Sequence, residues 1–422
     1  MLIRLFCAFA LRSQQLQLRP RSSLDGPISV LNIHFPLPAD SVLPEYGQGG
    51  LYGLASTLRT WLHVPEAGWE VGRVRPGDAR AIVVLLVIDG LGDRYLCSTG
   101  AGSVLHAHRR GALTSVFPST TASAVTTLLT GVAPAVHGLN GWFIHDRRFG
   151  GVVLPLPLSL RAGPPLEAVR LMSRLCPAPP MFHHAIRPAV LVSPADIAFS
   201  RFSRHHARGA RIEPYQGLQA LEAQILAQVD ALAGSGGLVH AYYPVFDALS
   251  HLHGCRSAPV DACFERIDAL FANLLNALAG RGVHLVVTAD HGFTDSSPQR
   301  TVDLPSGGEV AAMLAAPLFG ERRLAFCRVR KGAAAEFEAW ARAELAGKAV
   351  LVSGKDCLES GLLGPGMRNP RLAERVGTHV LLMEPGWTII DHVEGEHFHE
   401  MIGVHGGLSA DEMTVPLIAV RS

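Results

Sequence analysis

The chain has almost no surplus charge: 37 Lys and Arg against 36 Asp and Glu leave a formal net charge of +1 over 422 residues. Without a basic excess, electrostatics gives no reason to expect a nucleic-acid polymer as partner. Charged residues make up only 17% of the chain and hydrophobic ones 48%, a balance that suits a well-filled core and excludes a disordered chain. The seven cysteines include no Cys-x-x-Cys pair, which argues against both a disulfide framework and a thiolate zinc site and fits a reducing compartment. No internal repeat or low-complexity tract is visible, and no segment beyond the N-terminus is long and apolar enough to span a bilayer. The N-terminal run Met1–Leu11 is apolar with one early basic residue, but the polar Arg12–Ser23 that follows offers no clear cleavage site. A cytoplasmic protein with a disordered or wrongly assigned start is favoured, with export left open.

What the chain does have is histidine, 20 residues of it, and acids at the ends of apolar runs. Val83–Asp89 reads as a fully buried strand of a parallel sheet that ends in a carboxylate followed by Gly90-Leu91-Gly92. Val283–Asp290 has the same form and continues into His291-Gly292, and Leu238–Asp247 ends in an acid with His251 four residues on. Open α/β sheets build their sites at strand carboxyl ends. Three such strands would deliver Asp89, Asp247 and Asp290-His291 to one rim, where the carboxylates would repel one another without cations. His405, flanked by glycines, completes a mixed imidazole and carboxylate set of the kind zinc accepts.

Between these stretches the spacing predicts helices over Tyr52–Leu62, Asp93–His108, Leu166–Leu175, Tyr215–Ala233 and Val260–Ala279, with strands at Thr114–Phe117, Ala189–Ser193 and Thr414–Val420. Ser119-Thr120-Thr121 is helix-cap chemistry before a helical body, Ser123–Thr130, closed by Gly131. The fold expected is α/β, a mostly parallel central sheet with helices on both faces. Residues 26–299 and 397–422 would form the main domain after a tail over 1–25. The short β/α alternation over 300–396 predicts a small inserted α+β subdomain acting as a cap.

Taken in order, Asp89-Gly90, Phe117-Pro118-Ser119-Thr120-Thr121, Thr130-Gly131-Val132-Ala133-Pro134-Ala135-Val136-His137-Gly138, Asp247 to His251, Asp290-His291-Gly292 and His405-Gly406 resemble the alkaline phosphatase superfamily. More narrowly, they are similar to its nucleotide pyrophosphatase/type I phosphodiesterase branch. The resemblance implies two zinc ions, a role that Mn²⁺ or another divalent ion could also fill. One would be held by Asp247, His251 and His405, the other by Asp89, Thr121, Asp290 and His291. It places the nucleophile at Thr121, with Ser119 and Thr120 the neighbouring alternatives. A helix N-terminus favours both an alkoxide and an incoming phosphate, and a zinc ion on the oxygen would lower its pKa further. Two cations about 4 Å apart suit an in-line displacement through a covalent phospho- or nucleotidyl-threonine.

In that branch an Asn shortly after the His-Gly motif helps to hold a phosphate oxygen. Counting from Thr121, this position is Trp142, while Asn140 lies two residues earlier and could substitute in a shifted loop. His137 reads as a structural turn residue. The expected substrate is a small phosphorylated molecule, with a nucleotide as one candidate. A phosphomonoesterase or phosphonate hydrolase on the same scaffold is the alternative reading, and a non-catalytic metal-binding relative the second. No Arg lies beside Thr121 to meet a monoester dianion, and no Cys/Ser-x-Pro-x-Arg motif of a sulfatase occupies the nucleophile turn.

Overall fold

Seven residues, Ile82–Ile88, form a strand in which Val83 to Ile88 are all buried, as expected of β-branched and leucine side chains covered on both faces of a sheet. Burying each such side chain contributes on the order of 1.5–3 kcal/mol. The computed structural model describes residues 31–76, 78–167, 170–397 and 400–422, so the tail expected over 1–25 lies outside the described residues.

In chain order the strands that position the site are β1 (Ile82–Ile88), β2 (Arg109–Thr114), β3 (Ala189–Pro194), β4 (Arg211–Tyr215), β5 (Gly237–Tyr243), β6 (His284–Thr288), β7 (Phe319–Gly320), β8 (Leu324–Cys327), β9 (Ala349–Ser353), β10 (His379–Met383) and β11 (Thr414–Arg421). The central sheet has the order β2-β11-β6-β1-β5-β3-β4. It is mixed. The five strands from β6 to β4 run parallel, and β11 pairs antiparallel with both β6 and β2. Val84 of β1 lies opposite Val239 of β5 and Leu285 of β6, so the carboxyl ends of three neighbouring strands open at one rim.

The helices that matter to the site are α1 (Leu51–His63), α2 (Thr121–Thr130), α3 (Val245–His253) and α4 (Ala258–Leu278). On α4, Val260, Phe264, Ile267, Phe271, Leu274 and Leu278 recur at helical spacing and are buried, a core face and nothing more. Among the described residues no helix is long and apolar enough to cross a membrane.

Four expectations need correction. The strand read as Leu238–Asp247 ends at Tyr243. Pro244, which lacks a backbone N–H, stands at the start of α3, and Asp247 lies in the first turn of that helix. The segment Asp93–His108 is two short helices, Asp93–Ser98 and Val104–Ala107, because Gly100 packs against the Phe264 ring and Gly102 adopts φ +87° between them. The strand placed at Thr114–Phe117 is instead β2. Its ladder stops at Thr114 because its partner β11 begins at Thr414, just after the Ala410–Met413 helix. The helix expected at Leu166–Leu175 is confined to Leu171–Leu175, with residues 168–169 outside the described set.

Residues 319–383 build a second sheet, antiparallel throughout, in the order β7-β8-β10-β9. Its two faces separate by strand alternation. Leu324, Phe326, Val380 and Leu382 join Phe117, Leu408 and Met413, whereas Ala325, Cys327, Leu381 and Met383 pack with Phe337 and Ala341 of the Ala334–Glu344 helix. One buried ion pair clamps this sheet to the turn that follows His405. Arg323 donates from Nε and Nη2 to Glu412 Oε1 and Oε2 at 3.0 and 2.9 Å, and Glu412 also accepts from the Gly407 N–H at 2.8 Å. Burial opposes the charge of Glu412, but Arg323 and these hydrogen bonds outweigh it and hold the carboxyl below the usual Glu range.

Glu412→Gln, which leaves Arg323 buried without its counter-charge, should lower the unfolding free energy by about 3–5 kcal/mol. The pair stabilises the fold above the ordinary carboxylate pKa and loses that effect as pH falls through the depressed folded-state value. The gap between wild type and variant in urea unfolding should therefore be largest near neutrality and shrink below about pH 4. A gap that stays constant with pH would contradict the assignment.

Candidate metal centre and active site

Asp89 follows β1 directly, and Gly90 next to it has φ +78°; a Cβ there would lie 2.4 Å from the Phe293 ring, so only glycine fits. Asp290 and His291 follow β6, and Asp247 and His251 sit four residues apart on α3. His405 ends the short segment after Gly403–Val404. All are brought together. His291 Nε2 lies 3.3 Å from Asp89 Oδ1, 3.5 Å from Asp290 Oδ2 and 3.9 Å from Asp247 Oδ1. Asp247 Oδ1 is also 3.5 Å from His251 Nε2 and 3.8 Å from His405 Nε2.

Among the described residues two sets have donor atoms close enough to share an ion: Asp89, Asp290 and His291, and Asp247, His291 and His405. The expected ligands thus converge, but the imidazole of His291 lies between the two groups, within reach of both, and His251 meets the second group through Asp247.

Each histidine is oriented by a backbone carbonyl. Nδ1 of His251, His291 and His405 lies 2.9, 3.0 and 3.1 Å from the carbonyls of Gly403, Gly292 and Ser119, which places the proton on Nδ1 and turns a bare Nε2 inward. Burial lowers the His251 pKa to about 4 and pushes that of His405 well below its ordinary value, so both rings are neutral at pH 7.

The carboxylates show the opposite strain. Burial, and then the charges of Asp247 and Asp290, raise Asp89 well above the usual range; burial and Asp290 do the same to Asp247. Tyr242 donates its hydroxyl to Asp89 Oδ2, and the Gly90 and His291 amides donate to Asp290 Oδ1 at 3.1 and 3.0 Å. Among the described residues Asp89 Oδ1, Asp247 Oδ1 and Asp290 Oδ2 are buried with no hydrogen-bond partner, and these are the oxygens that face the bare imidazole nitrogens. Buried anionic oxygens left unpaired beside neutral imidazoles fit divalent cations.

The turn before α2 separates three neighbouring hydroxyls by their partners. Ser119 donates to the Gly407 carbonyl at 2.8 Å and Thr120 to Glu321 Oε1 at 2.6 Å, whereas Thr121 Oγ1 lies 3.2 Å from His291 Nε2 at the first position of α2. His137 Nε2 meets Thr127 Oγ1 at 3.1 Å and its Nδ1 accepts from the Leu139 amide, tying α2 to the following turn.

Asn140 is not brought to the site. It is fully buried and donates to the Arg375 carbonyl at 2.8 Å, so the expectation that it holds a substrate oxygen is corrected. Trp142 is 38% exposed and stands at the mouth of a cleft of about 270 Å³ that includes Thr121, Asp247, His251 and His405.

Sequence reasoning missed Tyr242, Phe293 and Glu321. Phe293 lies edge-on to His251, with ring centroids 4.9 Å apart, and directly follows His291-Gly292, so its place beside the motif was the available signal. Tyr242 and Glu321 carry none. Burial pushes the Glu321 carboxyl up to about 7 against the hydrogen bonds it accepts from Thr120 and from the Trp142 amide.

Acids after two neighbouring strands and in the first turn of the helix that follows a third, with a hydroxyl at a helix N-terminus, fit the alkaline phosphatase superfamily. Within it, the type I phosphodiesterase/nucleotide pyrophosphatase family profile matches residues 83–155 and 195–408, and the chain belongs to that family. Among solved structures, murine ectonucleotide pyrophosphatase/phosphodiesterase 5 is similar with a TM-score of 0.61 and 19% identity, covering 80% of this chain and 87% of that one. An inactive variant of the murine protein, bound to AMP, matches at 18% identity and the same TM-score and coverage. Phosphonoacetate hydrolase from Sinorhizobium meliloti 1021, in complex with phosphonoacetate, gives 0.60 and 17%, covering 85% and 94%. Identities this low establish the fold alone. No curated protein matches the chain by sequence.

If cations relieve this cluster, chelator-treated protein should gain thermal stability on adding Zn²⁺, and the gain should be largely lost in Asp89→Asn. Identical melting curves with and without zinc would contradict the fit.

Proposed function

We propose that the chain is a two-zinc hydrolase of phosphodiester or pyrophosphate bonds that works through a covalent phospho-threonine on Thr121. The observation that supports it most is that Thr121 Oγ1 meets the same His291 Nε2 that the three unpaired carboxylate oxygens of Asp89, Asp247 and Asp290 face. Asp247, His251 and His405 would hold one ion and Asp89, Thr121, Asp290 and His291 the other. A bound pair of divalent ions supplies Lewis-acid stabilisation of charge on the entering and departing oxygens.

The remaining work falls to this chain's own groups. Thr121 Oγ1, first in α2, faces the incoming phosphorus, and the free amides and positive end of the ten-residue helix favour a bound phosphoryl oxygen. The P–O bond opposite Thr121 breaks as the threonine ester forms, and water then cleaves that ester. The carbonyls behind His251, His291 and His405 keep these rings from turning during turnover. Residues 300–396, read as a cap, contribute Leu318 to Arg322 and Ile389, Ile390, Asp391 and Glu396 to the cleft wall.

The second reading is a phosphonate hydrolase or phosphomonoesterase, favoured by the likeness to phosphonoacetate hydrolase. Comparing bis-(p-nitrophenyl) phosphate with p-nitrophenyl phosphate, after chelation and with Zn²⁺ restored, separates the two. The diester should be the better substrate, and Thr121→Ala should lower kcat by about 10³-fold or more. A chelator-insensitive rate, or full turnover without the Thr121 hydroxyl, would end the proposal.

A further inference from the structure

Of the cleft-wall acids that the metal centre does not use, Asp391 and Glu396 pair with Arg161, while Glu321 turns toward the hydroxyl-bearing turn before α2. It comes from the second sheet, in the turn between β7 and β8, and reaches back to the nucleophile turn. Among the described residues its carboxylate accepts two hydrogen bonds, both on Oε1, from the Thr120 hydroxyl at 2.6 Å and from the Trp142 amide at 2.6 Å. Room for it is made by Gly406, where a Cβ would lie 2.6 Å from the Glu321 Cβ and where φ is +113°. Thr120 immediately precedes Thr121, so the carboxylate stands beside the position where a phosphoryl group would be attacked. The Trp142 amide, at the place where the family's phosphate-holding Asn is expected, is occupied by this acid and is not free to donate to a substrate oxygen.

The cations nearby do not reverse that picture. Arg161 is held by Glu396 and Asp391 and stacks over the Phe143 ring at 4.6 Å. Arg322 lies in the same wall and interacts with both Glu321 and Glu396. Counting Arg161 and Arg322 against Glu321, Asp391 and Glu396, this side of the cleft has no cationic excess.

We infer that Glu321 is a specificity-determining residue: its carboxylate disfavours phosphoryl groups with two negative charges and so selects the singly charged phosphate of a diester. The inference rests on the phosphoryl-transfer reading of this site and deepens it. A monoester brings one more unit of charge than a diester to the same position. At an effective dielectric of about 20, a carboxylate within about 8 Å makes that extra charge worth a rate ratio of about tenfold or more. Glu321 acts through its charge and not by touching the reacting atoms.

The experiment uses the full-length, zinc-loaded protein at pH 8.5, above the value of about 7 to which burial lifts Glu321, so the carboxylate is charged. Values of kcat/KM are measured for bis-(p-nitrophenyl) phosphate and p-nitrophenyl phosphate, together with competitive inhibition by inorganic phosphate. Glu321→Gln keeps an acceptor oxygen for Thr120 and Trp142 while removing the charge. It should move the diester-to-monoester ratio about tenfold toward the monoester and tighten phosphate inhibition by a similar factor. Glu321→Asp should keep the wild-type ratio. Glu321→Ser, a smaller charge-free variant, should repeat the shift if the Gln protein is unstable. Equal losses on both esters, with the ratio and phosphate inhibition unchanged, would mean a structural role only and overturn the inference while leaving the phosphodiesterase reading intact. If wild type shows no zinc-dependent hydrolysis of either ester, both fall.

Discussion

Three carboxylates buried side by side cannot all stay ionised without a compensating positive charge, and most of the structure around the rim follows from that constraint. The strand order brings Asp89, Asp290 and the start of α3 together at neighbouring carboxyl ends. Burial and mutual repulsion then raise Asp89 and Asp247 far above their ordinary pKa. Instead of pairing these acids with Lys or Arg, the fold surrounds them with imidazoles turned Nε2-inward by backbone carbonyls. Neutral, correctly oriented donors beside unpaired anionic oxygens are what a cation needs, and a lysine there would exclude it.

The second sheet is tied to this centre through three consecutive residues. Glu321 and Arg322 line the cleft, and Arg323 points the other way into a fully buried pair with Glu412. The clamp fixes the loop behind His405, and the same strand edge presents the wall that a substrate's leaving group would meet. Similar structures include one bound to AMP and one bound to phosphonoacetate, so this fold accommodates chemically different ligands. Differences between such proteins belong to walls of this kind more than to the sheet.

Much of the rim was legible from local pattern. A run such as Val83–Ile88, apolar without alternation and closed by Asp-Gly, has few structural interpretations, and tandem hydroxyls before an apolar helix point to an N-terminus. The spacing of Asp247 and His251 was read as a strand end plus a turn, whereas both ride on α3. The chemistry survives because residues four apart share a helix face, but the element was misjudged because an apolar run before Pro244 does not show where the strand gives way. Asn140 failed for a tertiary reason: its amide is needed by the carbonyl of Arg375, more than two hundred residues away. Glu321 could not have been found, since its partners Thr120 and Trp142 lie some two hundred residues earlier and nothing in its local sequence marks it as part of a site.

The central claim is that the buried cluster exists to hold two ions with Thr121 between them. Anomalous diffraction from zinc-soaked crystals, collected on either side of the zinc absorption edge, tests it most directly. The account predicts two peaks, one bounded by Asp247, His251 and His405 and the other by Asp89, Asp290 and His291, with Thr121 Oγ1 beside the second. Anomalous density only elsewhere on the protein, or none, would contradict it.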